Sequence, residues 1–125
     1  MDLQKQINYW SESSKDDLIT SELLINNNRL LHGLFWCHLT IEKALKAHVV
    51  KFTQQIPPRT HNLLRLIEKT DLSPDDKTLK LLGDLMVYQL EGRYPERFPP
   101  APSKTAAIQL LTKTNDLHKW LINKL

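Results

Sequence analysis

Residues 30–53 read LLHGLFWCHLTIEKALKAHVVKFT, and their spacing decides the fold class. Apolar side chains recur at three- and four-residue steps without the two-residue alternation of a strand, which predicts an α-helix. On a wheel of about 100° per residue, Leu31, Leu34, Leu45, Val49 and Phe52 gather around His38. Glu42 lies one turn beyond His38 on the same inward face, and Lys46 falls at its edge. A glutamate placed there needs a partner, because an unpaired buried carboxylate costs several kcal/mol or takes up a proton. The residues alone allow three readings: a core histidine beside an intramolecular ion pair, the floor of an anion- or base-binding site, or a metal site. Trp36, Leu39, Lys43 and Ala47 form a second, partly apolar side of the same helix. A helix apolar on two sides is buried on two sides, and either a partner subunit or the short helix that follows would cover the second.

The same periodicity extends in both directions. Leu3, Ile7, Trp10, Leu18, Ser21 and Ile25 mark a long helix over 3–26, ended by Asn26, Asn27 and Asn28 because asparagine tolerates the left-handed conformation. Pro57 and Pro58 stop the helix over 30–53. A short helix is predicted over 61–69, with Leu63, Leu64 and Ile67 inward. In the next, Ser73 caps, Pro74 takes the first helical position, and Asp75 and Asp76 face the positive end of the dipole. It carries Leu79, Leu82, Leu85, Met86 and Leu90 and ends at Gly92. Residues 93–102 contain four of the seven prolines and form an irregular connection. Ser103 then caps a last helix striped by Ala107, Leu110, Leu111, Thr114, Leu117, Leu121 and Ile122. The expected fold is all-α: a single domain over 1–125, built as an up-and-down four-helix bundle with one additional short helix.

Composition narrows the function. The chain has 125 residues, a hydrophobic share of 41% and a charged share of 25%, an ordinary globular balance. Its formal net charge of +3 is compatible with an anionic partner, but no block of five like charges forms the basic stripe of a dedicated duplex-DNA binder. No apolar run is long enough to span a membrane and the first residues do not resemble a signal peptide, so a cytoplasmic location is expected. One cysteine, Cys37, excludes an internal disulfide and a multi-cysteine metal centre. Cys37 and His38 are no nucleophile–base pair either, since adjacent helical side chains point apart. Gly33, Gly83 and Gly92 are too scattered for a phosphate loop. His38 and Glu42 have the spacing of helical metal ligands, but no third ligand accompanies them, so no cofactor is expected.

Three fragments carry a family resemblance. Glu42-Lys43-Ala44-Leu45-Lys46-Ala47, Pro57-Pro58-Arg59-Thr60-His61-Asn62-Leu63-Leu64 and Gly92-Arg93-Tyr94-Pro95, behind Trp10 and Asp17-Leu18, resemble the HEPN domain over nearly the whole chain. The resemblance implies a helical bundle that forms a homodimer. It also implies one of two roles: a non-catalytic nucleotide- or substrate-binding partner of a minimal nucleotidyltransferase, or a metal-independent ribonuclease acting as the toxin of a toxin–antitoxin pair. A ligand-free scaffold dimer is the third option. The ribonuclease branch places a histidine after an arginine and four to six intervening residues. Here Arg29 has His32 too near and His38 too far, Arg59 has His61 after one residue, and Arg65, Arg93 and Arg97 have no histidine in the window. RNA cleavage is therefore unsupported, and the chain is expected to act without catalysis. Ligand-binding positions carried over from the family are Glu42, Lys43, Lys46, His61 and Arg93. Arg93 is expected beside Glu42, as an ion pair or as a phosphate clamp.

Overall fold

Asp2 opens the chain as a helix cap, its carboxylate accepting the Lys5 amide at 3.1 Å. The helix it starts, α1, covers Leu3–Asn26 and ends through Asn27 and Asn28, the latter at φ 64°. Helix α2 covers Leu30–Thr53 and closes on Gln54, itself left-handed at φ 62°, before the prolines are reached. The computed structural model describes residues 2–125, and its remaining elements are α3 (Leu63–Glu68), α4 (Asp76–Met86), one 3₁₀ turn at Pro95–Arg97, and α5 (Lys104–Asn123). No strand occurs among the described residues. None of the described helices is long and apolar enough to cross a membrane.

Helices α1 and α2 run antiparallel along most of their length. Ile25 meets Gly33 near the link, Asp17 meets Lys43 midway, and Trp10 meets Lys46 further on. The side of α1 that faces α2 is Ser11, Ser14, Asp17, Ser21 and Ile25, whereas Leu3, Ile7, Trp10 and Leu18 are only half-buried. Small side chains bring the helices close, and Gly33 completes the approach: a Cβ there would collide with the Ile25 side chain. Helix α5 runs parallel to α2, since His48 reaches the Leu121 carbonyl and Lys51 the carbonyls of Lys124 and Leu125.

This packing makes α2 the centre of the molecule. From Cys37 to Val50 every residue except Leu39 and Lys43 is buried. The second side of α2 is covered by α1 of the same chain, so its two-sided apolar character requires no partner subunit and no packing on the short helix. Phe52, expected inward, is exposed because it lies in the last turn of α2, where the core ends.

Four further expectations are corrected. The fourth helix is capped by Asp75, whose carboxylate accepts the Thr78 amide at 2.8 Å; Ser73 and Pro74 precede it outside the helix. Its buried residues are Leu81, Leu82 and Leu85, while Leu79 is exposed. The helix stops at Met86, and Gly92 serves a separate turn in which the Arg93 amide donates to the Leu90 carbonyl at 3.1 Å with Gly92 at φ 80°. Such a turn needs positive φ at its third residue, and glycine adopts it without strain. Helix α3 begins after His61, because Asn62 is its cap. Ser103 caps α5 as expected, accepting the Ala106 amide.

Candidate functional site

Glu42 is the hub of a polar cluster inside this apolar frame. It is 3% exposed, and both carboxylate oxygens are engaged. Oε2 accepts Lys46 Nζ at 3.0 Å from the next turn of α2, and Oε1 accepts His61 Nδ1 at 2.8 Å from the segment before α3. Lys46 is itself buried, with its ammonium 5.2 Å from the centroid of the Trp10 ring. An indole face attracts a cation in this position.

His38 holds the same segment a second way. Its Nε2–H donates to the His61 carbonyl at 3.0 Å. The other ring nitrogen, Nδ1, lies 3.8 Å from Glu42 Oε1 and has no hydrogen-bond partner. Burial lowers the His38 pKa, outweighing the pull of Glu42, so the ring is neutral with its proton on Nε2. His61 is thus tied to α2 through both its backbone and its ring. Its side chain remains 41% exposed, and Nε2 faces outward, 3.5 Å from Glu91 Oε2.

The expected site residues divide into three groups. Glu42, Lys46 and His61 come together. Lys43 points to α1, where it donates to Ser13 Oγ at 2.8 Å and pairs with Asp17 Oδ2 at 2.8 Å, an ion pair misaligned for a hydrogen bond. Desolvation raises the Asp17 pKa despite that lysine. Arg93 does not pair with Glu42, whose oxygens are already taken. It lies on the surface, its Nη1 at 3.4 Å from the Val87 carbonyl and 3.5 Å from that of Arg97. The residue of this segment that reaches the hub is Glu91, two residues earlier in the Gly92 turn, through His61. Neither Glu91 nor the hold of His38 on the His61 backbone carried a signal in the sequence, since both depend on how remote segments dock.

Two other buried histidines are structural. His48 Nε2–H donates to the Leu121 carbonyl at 2.7 Å, and His118 Nε2–H to Ser14 Oγ at 2.9 Å. Ser14 passes its own proton to the Ser11 carbonyl, so Ser14 and His118 are no nucleophile–base pair. Burial pushes the Cys37 thiol up to about 11, which leaves it unreactive. No group of three or more potential metal ligands forms among the described residues.

The architecture is that of a small all-helical domain whose central helix carries a buried glutamate anchoring a half-exposed histidine. A family model for the HEPN domain matches residues 7–125, and the chain belongs to the HEPN family. No curated protein and no solved structure matches the chain.

Proposed function

We propose that residues 1–125 form one HEPN domain, an up-and-down four-helix bundle with an added short helix, that binds a nucleotide as the non-catalytic, cytoplasmic partner of a minimal nucleotidyltransferase. The observation that carries this reading is His61: a half-exposed imidazole fixed by Glu42 and His38, with Arg93 on the adjoining turn. A partly exposed polar group held rigidly from beneath suits ligand recognition. In this reading His61 and Arg93 touch the ligand, while Glu42 and Lys46 position His61. Lys43 contributes to the frame through Asp17.

The domain acts as a homodimer. Ile19 and Leu23, one turn apart on the outer side of α1 and both exposed, support an apolar contact between copies. Sedimentation at micromolar concentration should give about twice 14.6 kDa.

Thermal unfolding with and without a panel of nucleotides tests the binding reading, with protection expected from at least one. A single-stranded RNA incubated with the protein and a chelator tests the ribonuclease alternative. Cleavage lost in both Arg93→Ala and His61→Gln would replace the binding module by a divergent ribonuclease.

A further inference from the structure

The outward nitrogen of His61 already faces an anion. Glu91 Oε2 stands 3.5 Å from Nε2, on a side chain that is 61% exposed. The backbone beneath it is fixed: Leu90 is buried, the Arg93 amide closes on the Leu90 carbonyl, and Gly92 supplies the positive φ. Rotation of the Glu91 side chain alone would therefore clear the imidazole without moving the turn. Glu42 on the far side of the ring and His38 on the backbone carbonyl prevent His61 from following.

We infer that Glu91 is a built-in stand-in for a phosphate group, occupying at His61 Nε2 the position that a terminal phosphate of a nucleotide takes when it binds. This inference rests on the nucleotide-binding reading above and adds the part of the ligand recognised and the residue that opposes it. With Nδ1–H given to Glu42, Nε2 donates only from the doubly protonated ring, and to that N–H a carboxylate and a phosphate offer the same kind of oxygen. A phosphate brings more oxygens and more charge, and can reach His61 and a second cation together. Arg93 is that cation: it follows Glu91 by two residues, and Nη1 makes only long contacts with two carbonyls. A guanidinium in this state can turn its planar fork to a phosphate, which a single carboxylate already held at His61 does not bridge. Glu91 thus sets an affinity threshold, since ligand must displace it.

The test measures dissociation constants of the whole protein for ADP, for adenosine, and for a short RNA with hydroxyl ends, while following the imidazole nitrogens of His61 by NMR. Glu91→Gln should tighten ADP roughly two- to five-fold, the ordinary worth of an exposed ion pair. It should leave adenosine unchanged and perturb His61 Nε2 on ADP addition. Glu96→Gln, an exposed carboxylate elsewhere on the segment, should bind ADP like the unaltered protein. Equal ADP affinity with and without Glu91 would overturn the inference while leaving nucleotide binding intact. An equal gain in Glu96→Gln would overturn it by reducing the effect to net charge. A gain for the RNA but not for ADP would overturn the assignment to a terminal phosphate, and absence of binding to any variant would remove both readings.

Discussion

Glu42 Oε1 and His61 Nδ1, 2.8 Å apart, join the one carboxylate of α2 to a half-exposed ring nineteen positions later in the chain. The pair binds the segment before α3 onto the central helix, and one glutamate thereby satisfies Lys46 inside the protein and orients His61 at its surface.

Replacing Glu42 should accordingly be costly. Glu42→Gln keeps the shape but leaves Lys46 buried without its counter-charge, and removal of one partner from a buried pair costs about 3–5 kcal/mol. Urea unfolding should register that loss through a lower midpoint at unchanged slope. A change under ~1 kcal/mol would mean that Lys46 swings to solvent when Glu42 is neutral.

Arg93→Ala should behave in the opposite way. Its side chain is exposed and makes only two long carbonyl contacts, so stability should shift by no more than about 0.5 kcal/mol. The same variant should abolish any thermal protection that nucleotides give. A large loss of stability would show that Arg93 holds the fold rather than a ligand.

Gly33→Ala sets two effects against each other. Alanine favours a helix interior by about 1 kcal/mol over glycine, but its methyl enters the space of the Ile25 side chain. Overpacking of this kind costs about 1–3 kcal/mol, so net destabilisation is expected. Ile25→Ala removes the colliding Cγ1, so in that background the added cost of Gly33→Ala should shrink, measured by the same unfolding transition.

Leu45 is fully buried at the middle of α2. Leu45→Ala should cost about 2–5 kcal/mol through lost burial and the cavity left behind. A cost below ~1 kcal/mol would show that the surrounding helices collapse into the space.

Stability should fall with acid before the carboxylates titrate. His38, His48 and His118 each have a pKa lowered from 6.5, foremost by burial. In that window the unfolded chain binds more protons than the folded one, so stability rises with pH. The contribution is complete above about pH 6.5 and is lost as pH falls through the lowered values. Melting temperatures taken from pH 7.5 down to pH 5 should decline, and a flat profile would mean that the three rings are protonated in the fold.

Much of the fold was legible because it rests on local chemistry. The bounds of α1 and α2 follow from apolar spacing, helped by asparagines that accept left-handed geometry after α1 and by the prolines beyond α2, and Ser103 announces α5. The start of α4 was misread because Ser73, Pro74 and Asp75 form a set of plausible caps, and only hydrogen bonding selects among them. Glu42, His38 and Lys46 share one helix, so a wheel brings them together. Arg93 and Glu91 lie on a turn whose position is set by how the segment after α4 packs. No periodicity reports that docking, which is why Arg93 was expected at Glu42 and Glu91 was overlooked.

The three-residue link Asn27–Arg29 also bears on the order in which the molecule assembles. Closing α1 on α2 spans few residues and is cheap in chain entropy, whereas the α5 contacts join residues 104 apart at Ser14 and His118 and 73 apart at His48 and Leu121. The α1–α2 hairpin is therefore expected to form first, with α5 arriving on a partly built surface whose serine and histidine groups are still open to water. The amides of α5 should exchange with deuterium through a sub-global opening that leaves the hairpin protected, making the last helix the separable part of an otherwise cooperative bundle.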